Sequence, residues 1–315
     1  MGDGLHVLRG HGTENDFVVV PDRDGSLGAL RPALVRALCD RRAGLGGDGT
    51  LRVAPTTAVE DLAHLAGDAA WAMDYTNADG TYAEMCGNGV RVVARFLVDA
   101  GWAEPGALGV ATRDGVKTCV LGREGDVEVD MGVPVVRGDA PRVGLGGAVY
   151  EAVAISTGNP HAVVPVGDLD GLDLTVPPVL DPADFPEGAN VEAVLGDGPG
   201  RIRMRVHERG SGETRSCGTG VCAAAVASTV WWPPARHGLV ASGDDAWQVR
   251  VEVPGGVLHV REDREGRVHL RGPAVLVAEA HVRQPWLDAV PDDDEAPQTP
   301  PVDTGVHPEL QEVPA

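Results

Sequence analysis

The sequence predicts an α+β fold built as two related halves. Two observations carry this. The stretch CGNGV at 86–90 recurs as CGTGV at 217–221, and each time a Cys ends a polar loop and opens an apolar helix. Around both helices the chain breaks into short apolar or alternating runs separated by Gly- and Pro-rich turns, the mark of strands. Each half therefore presents one thiol at a helix N-terminus. Free amide N–H groups and the positive end of the helix dipole lower a thiol's pKa there and can hold an anion beside it.

Taken in order, LHVLRGHGTENDFVVV at 5–20 predicts a strand, a polar turn over 10–15 and a second strand ending at Pro21. Asn15 and Asp16 also suit a plain turn, because their side chains bond their own backbone. Residues 31–42 carry Leu34, Ala37 and Leu38 at helical spacing with Pro32 near the start, which predicts a helix with Cys39 as a small core residue. The loop GLGGDGT precedes a short strand at 51–54, and the acidic, Ala-rich residues 55–70 read as a surface excursion. WAMDY then runs through the turn NADG to Cys86 and a helix with Val90, Val93, Ala94 and Leu97 on one face. Strand signals follow at 108–112, 116–121 and 127–131, and a Gly/Pro-rich connection at 132–147.

The second run begins near Val149. GNPHAVVPV at 158–166 echoes ENDFVVVP of the first half, an Asn turn feeding an apolar strand. Asn190 precedes VEAV, and in RIRMRVHERG arginines alternate with apolar residues, so one face of that strand is wet. The helix after Cys217 ends at Trp231, Trp232 and Pro233, and strands follow at 247–253, 257–260, 268–271 and 274–280. From Pro291 onward there is no Lys or Arg and there are many prolines, which predicts a disordered tail over 291–315.

Composition narrows the function. A chain of 315 residues with 43% hydrophobic and 23% charged residues has room for two packed domains. Its net charge of −21 disfavours nucleic acid or an anionic membrane as partner, since both need a basic face. No signal peptide opens the sequence and no apolar run approaches the roughly 20 residues of a membrane span, so the cytosol is the expected compartment. The five Cys read as free thiols rather than a disulfide framework or a zinc site. Lys117, the sole lysine, falls in an alternating stretch that predicts a solvated strand position. Pyridoxal phosphate chemistry needs a Schiff-base lysine, so no such cofactor is expected, nor any metal.

Two thiols on related helix starts suit one reaction type. Inverting a stereocentre next to a carboxylate needs a base on one face, an acid on the other and donors for the charge that develops between them. One Cys enters as thiolate and the other as thiol, and they exchange roles for the reverse direction. The amides of Gly87, Asn88, Gly218 and Thr219 are candidate donors. A free thiol has a pKa of about 8.5, so the base must be lowered, and the titration belongs to the pair.

NADGTYAEMCGNGVR, GNPHAVV, NVEAV and ERGSGETRSCGTGVCAAAVA, in this order and within residues 5 to about 283, resemble the diaminopimelate epimerase family. The resemblance implies two pseudo-symmetric domains, each a mixed, mostly antiparallel sheet wrapped round a central α-helix. They would cover 1–131, with 270–285 returning to it, and 132–269. It implies cofactor-independent interconversion of LL- and meso-diaminopimelate in lysine and peptidoglycan biosynthesis, with Cys86 and Cys217 as the acid/base pair. It further implies that Asn15, Asn77, Asn159, Asn190, Glu208 and Arg209 line the substrate site, Arg209 forking onto the far carboxylate and Glu208 taking the ammonium there. A homodimer is compatible with it. Glu14 stands where the family more often has Gly, Gly49 where some members carry a substrate-reaching Gln, and Ser216 where Ala is commoner. The alternatives are a proline or hydroxyproline racemase, a specialised diamino-acid epimerase and a non-catalytic small-molecule binder.

Overall fold

The computed structural model describes residues 4–83, 85–232 and 246–292. Beyond Asp292 the Pro-rich tail lies outside the described residues, and so does Pro233.

The valine-rich runs find their partners in one another. Among the described residues, a 17-stranded sheet takes up nearly all of them. In the first half the pairing order is Val275–Val282, Leu5–Gly12, Asn15–Pro21, Gly49–Pro55, Trp71–Asn77, Gly106–Thr112, Gly115–Leu121 and Val127–Gly132. Neighbours are antiparallel except Asn15–Pro21 with Gly49–Pro55 and Trp71–Asn77 with Gly106–Thr112. The second half repeats the order as Val135–Val136, Val153–Ser156, Pro160–Pro165, Asn190–Gly196, Arg201–Glu208, Trp247–Val253, Gly256–Glu262 and Val268–Gly272. Its parallel pairs fall at the same two places. The halves join where Val127–Gly132 pairs with Val268–Gly272.

A parallel pair cannot be closed by a tight turn and needs a crossover, usually a helix. That requirement places the helices. Helix α1, Pro32–Cys39, lies in the first crossover; α2, Gly87–Asp99, and α3, Gly218–Trp231, lie in corresponding crossovers of the two halves. The sheet of the first half wraps α2 and that of the second wraps α3. A helix enclosed in this way has no wet face, which is why GTGVCAAAVAS is small and apolar all round and buried throughout. Helix α2 also buries Arg95, which donates to the carbonyls of Gly122 at 3.0 Å, Arg123 at 2.7 Å and Gly125 at 2.9 Å and so holds the hairpin before Val127–Gly132.

Some elements depart from the sequence reading. The first turn is only Thr13 and Glu14, both left-handed at φ 51° and 61°, because Gly12 already pairs with Asn15. The surface excursion at 55–70 contains 3-10 turns, Thr56–Ala58 and Glu60–Leu65, that bury Val59 and Leu62. The connection at 132–147 is partly paired, through Val135–Val136 and Arg142–Leu145. Lys117 is not solvated. It is 8% exposed, and its ammonium meets the Asp114 carboxylate at 2.7 Å because the tight turn at 112–115 folds that side chain back over the strand.

Candidate active site

Cys86 and Cys217 are the N-caps of α2 and α3, each in extended backbone just before its helix begins. The two helix starts touch. A Cβ added to Gly218 would lie 3.0 Å from Gly87 Cα and 3.0 Å from Asn88 N, so only glycine permits this approach. The contact aims both N-termini, from opposite halves, at one cleft of about 1260 Å³. Cys86 Sγ accepts the Gly89 amide at 3.4 Å and donates to Asn15 Oδ1 at 3.5 Å. Cys217 Sγ lies 3.4 Å from the Thr219 hydroxyl.

Most of the residues singled out from the sequence border this cleft. Asn15 opens its strand, donates to Asp48 Oδ2 at 2.7 Å and accepts from Asn88 Nδ2 at 3.1 Å. Asn77, at the end of Trp71–Asn77, donates to the Thr81 hydroxyl at 3.1 Å. Asn190 accepts the Arg209 backbone N–H at 2.9 Å, which fixes the strand end carrying Glu208 and Arg209. The Glu208 carboxylate takes the Thr214 hydroxyl, and Arg209 Nη1 donates to the Glu187 carbonyl at 2.7 Å. Gly87, Gly218 and Thr219 also border the cleft. Asn88 does not. Its side chain is fully buried, donates to the Ser216 carbonyl at 3.1 Å and accepts from Arg91 Nη2 at 2.8 Å, so it ties the two helix starts together.

Asn159 is backed by a chain that sequence reading did not assemble. Its Oδ1 lies 2.9 Å from His161 Nε2, and His161 Nδ1 lies 2.7 Å from Glu192 Oε1, with His161 and Glu192 both at 0% exposure. The available signal was a carboxylate inside the apolar run NVEAV. Tyr75, Asp48 and Arg41 also face the cleft without having been singled out, since each reads locally as a strand or loop residue.

The electrostatics run against the expectation of a lowered thiol pKa. Burial pushes the Cys86 thiol up to about 11, and the Glu208 carboxylate adds to this against the amides of Gly89 and Asn88 and the Arg91 guanidinium. Burial raises Cys217 well above the ordinary thiol value, and Glu208 and Glu192 raise it further, outweighing the Thr219 hydroxyl and the Gly220 amide. Glu208 is itself raised, first by burial. The helix ends contribute as expected, but desolvation outweighs them at Cys86, and desolvation with two carboxylates outweighs them at Cys217. The free cleft thus holds both thiols protonated at neutral pH. All five Cys are free, and among the described residues no cluster of His, Cys, Asp and Glu has the makings of a metal site.

Residues 7–136 and 153–277 match the sequence profile of a family described as diaminopimelate epimerase. The diaminopimelate epimerase of Streptomyces coelicolor is 50% identical over 92% of this chain and 99% of its own length. That of Thermobifida fusca is 49% identical over 89% and 98%. Among solved structures, a PhzF-family phenazine biosynthesis protein of Bacillus anthracis superposes with a TM-score of 0.61 at 18% identity, covering 90% of this chain and 100% of that one. A hydroxyproline epimerase of Agrobacterium vitis superposes with 0.60 at 17% identity, covering 88% and 92%. These two share the fold.

Proposed function

The chain belongs to the diaminopimelate epimerase family, and on that footing we propose that Cys86 and Cys217 are the two bases with which it inverts its substrate. The enzyme is an isomerase of an amino acid, interconverting LL- and meso-diaminopimelate. The observation that carries the proposal is the meeting of two Cys-capped helix starts at Gly87 and Gly218. A carbon held there has a thiol from each half.

The thiolate of one Cys takes the α-proton, and the thiol of the other delivers a proton to the opposite face. The first Cys leaves protonated and the second leaves as thiolate, so no charge is lost. Amides of the two helix starts hold the substrate carboxylate as negative charge spreads onto it. Glu208 raises both thiols, which supports its lying against the reacting end rather than the far end. The substrate's ammonium, paired with Glu208, offsets that charge and lowers the cost of forming a thiolate only when substrate is bound. Asn77, Asn159, Asn190 and Arg209 then serve the remaining polar groups.

Incubation with diaminopimelate in heavy water tests this. Deuterium should enter the α-position, and Cys86→Ala or Cys217→Ala should remove inversion while the circular dichroism of the fold persists. Near-normal inversion in either variant, or turnover of proline with none of diaminopimelate, would overturn the proposal.

A further inference from the structure

Tyr75 borders the cleft with a hydroxyl that the described residues leave without a hydrogen bond. It lies in Trp71–Asn77 two residues before Asn77, and since side chains alternate along a strand both reach the same face of the sheet, the one bordering the cleft. The side chain is 9% exposed. Among the described residues its hydroxyl makes no hydrogen bond, although the backbone carbonyl of the same residue accepts from Ala83 N at 3.4 Å and Arg113 Nη1 at 3.3 Å. Among the described residues the buried side-chain polar atoms without a partner are Thr50 Oγ1 and Glu192 Oε2, so the unbonded Tyr75 hydroxyl opens onto the cleft it borders. A hydroxyl that meets the cleft and bonds no protein group is free to bond a ligand held there.

The ring is also seated firmly. Phe17 meets it edge-on at 5.9 Å between centroids and 86° between planes. A Cβ at Gly49 would come within 2.7 Å of Tyr75 Cε2 and 2.5 Å of the Thr76 carbonyl, so glycine at 49 is what admits the ring. Few rotamers remain to such a ring, and little ordering entropy is lost when a ligand meets it.

We propose that the Tyr75 hydroxyl is a substrate-binding group of this site, hydrogen-bonding the amino-acid head of diaminopimelate beside Cys86. The inference rests on the two-thiol reading above. Cys86, Glu208, Asp48 and Cys217 border the same cleft and are, in that order, the groups near enough to act on the phenol, which sets it beside the two thiols. Burial above all keeps the phenol protonated, so it offers an O–H to a carboxylate and lone pairs to an ammonium.

Tyr75→Phe is the test, because it keeps the ring against Phe17 and Gly49 and removes an atom that bonds nothing in the free protein. The thermal midpoint should stay where it is, while kcat/KM for diaminopimelate falls about tenfold or more, as loss of a substrate hydrogen bond does. A value of kcat/KM within twofold of the parent overturns the inference. A second readout does not depend on that variant folding. The chain has 3 tyrosines, so a protein labelled at tyrosine ¹³Cζ gives three resonances, and Tyr82→Phe and Tyr150→Phe assign Tyr75 by elimination. Diaminopimelate should move the Tyr75 resonance, and a resonance unmoved at saturation overturns the inference. A parent inactive on diaminopimelate overturns the two-thiol reading together with this one, whereas an active parent with an unaltered Tyr75→Phe overturns this one alone.

Discussion

At the scale of single residues the site is a contest between helix amides and buried carboxylates over two thiols. Desolvation leads for both Cys86 and Cys217, Glu208 acts on each, and Glu192 acts on Cys217 from behind the cleft wall. Glu192 has one oxygen on His161 and the other, Oε2, buried without a partner among the described residues. The sign of the pH dependence follows. A thiol raised to about 11 is protonated at neutral pH and becomes a nucleophile only as pH climbs toward that value. Iodoacetamide should therefore label the unliganded site slowly at pH 7 and progressively faster from pH 9 to 11. A labelling rate flat between pH 6 and 9 would show that the carboxylates do not govern these thiols.

At the scale of elements, the first hairpin shows a local preference overridden by its neighbourhood. A two-residue turn with both central residues at positive φ favours Asn and Gly, yet here it is Thr13 and Glu14. Holding a non-glycine residue left-handed costs about 1 kcal/mol or more. Glu14 gains in return an ion pair with Arg215 of the other half, but these side chains are 49% and 59% exposed, and a pair so wet contributes under about 1 kcal/mol. Glu14→Gly should accordingly be neutral to stabilising, by up to about 1 kcal/mol in urea unfolding. A clear loss of stability would mean that the Arg215 contact outweighs the backbone strain.

At the scale of the whole molecule, the halves are stitched rather than merely adjacent. Val275–Val282, late in the chain, is the edge strand of the first half, and Val135–Val136 is that of the second. Val127–Gly132 pairs directly with Val268–Gly272, and one apolar core includes residues of both α2 and α3. With hydrogen bonds and packing shared in this way, neither half keeps its fold if the other opens. Calorimetry should show a single transition whose calorimetric and van't Hoff enthalpies agree, and two resolved transitions would refute that coupling.

How much of this was legible depended on distance along the chain. The strand–turn–helix order around CGNGV and CGTGV is a local matter of periodicity and turn residues, so both thiols, their helices and the strand that ends at Glu208 could be read directly, while the site roles of Glu208 and Arg209 came from the family resemblance. Lys117 was misread because alternation shows which face a residue takes but not that Asp114 folds back to pair with it. Tyr75 looked like one more strand residue, since the empty space at Gly49 that seats its ring comes from a different strand. Asn88 sits in the most recognisable motif of the chain, yet its side chain braces the two helix starts because Ser216, far away in sequence, lies against it. The sequence by itself determined that there are two halves, each delivering one thiol at a helix start. Only the tertiary structure decided that the starts meet at Gly87 and Gly218, and that burial, with Glu208 beside both thiols and Glu192 beside Cys217, raises their pKa. Desolvation and Coulomb energy depend on what surrounds a group in space, and that is set by packing between segments remote in the chain.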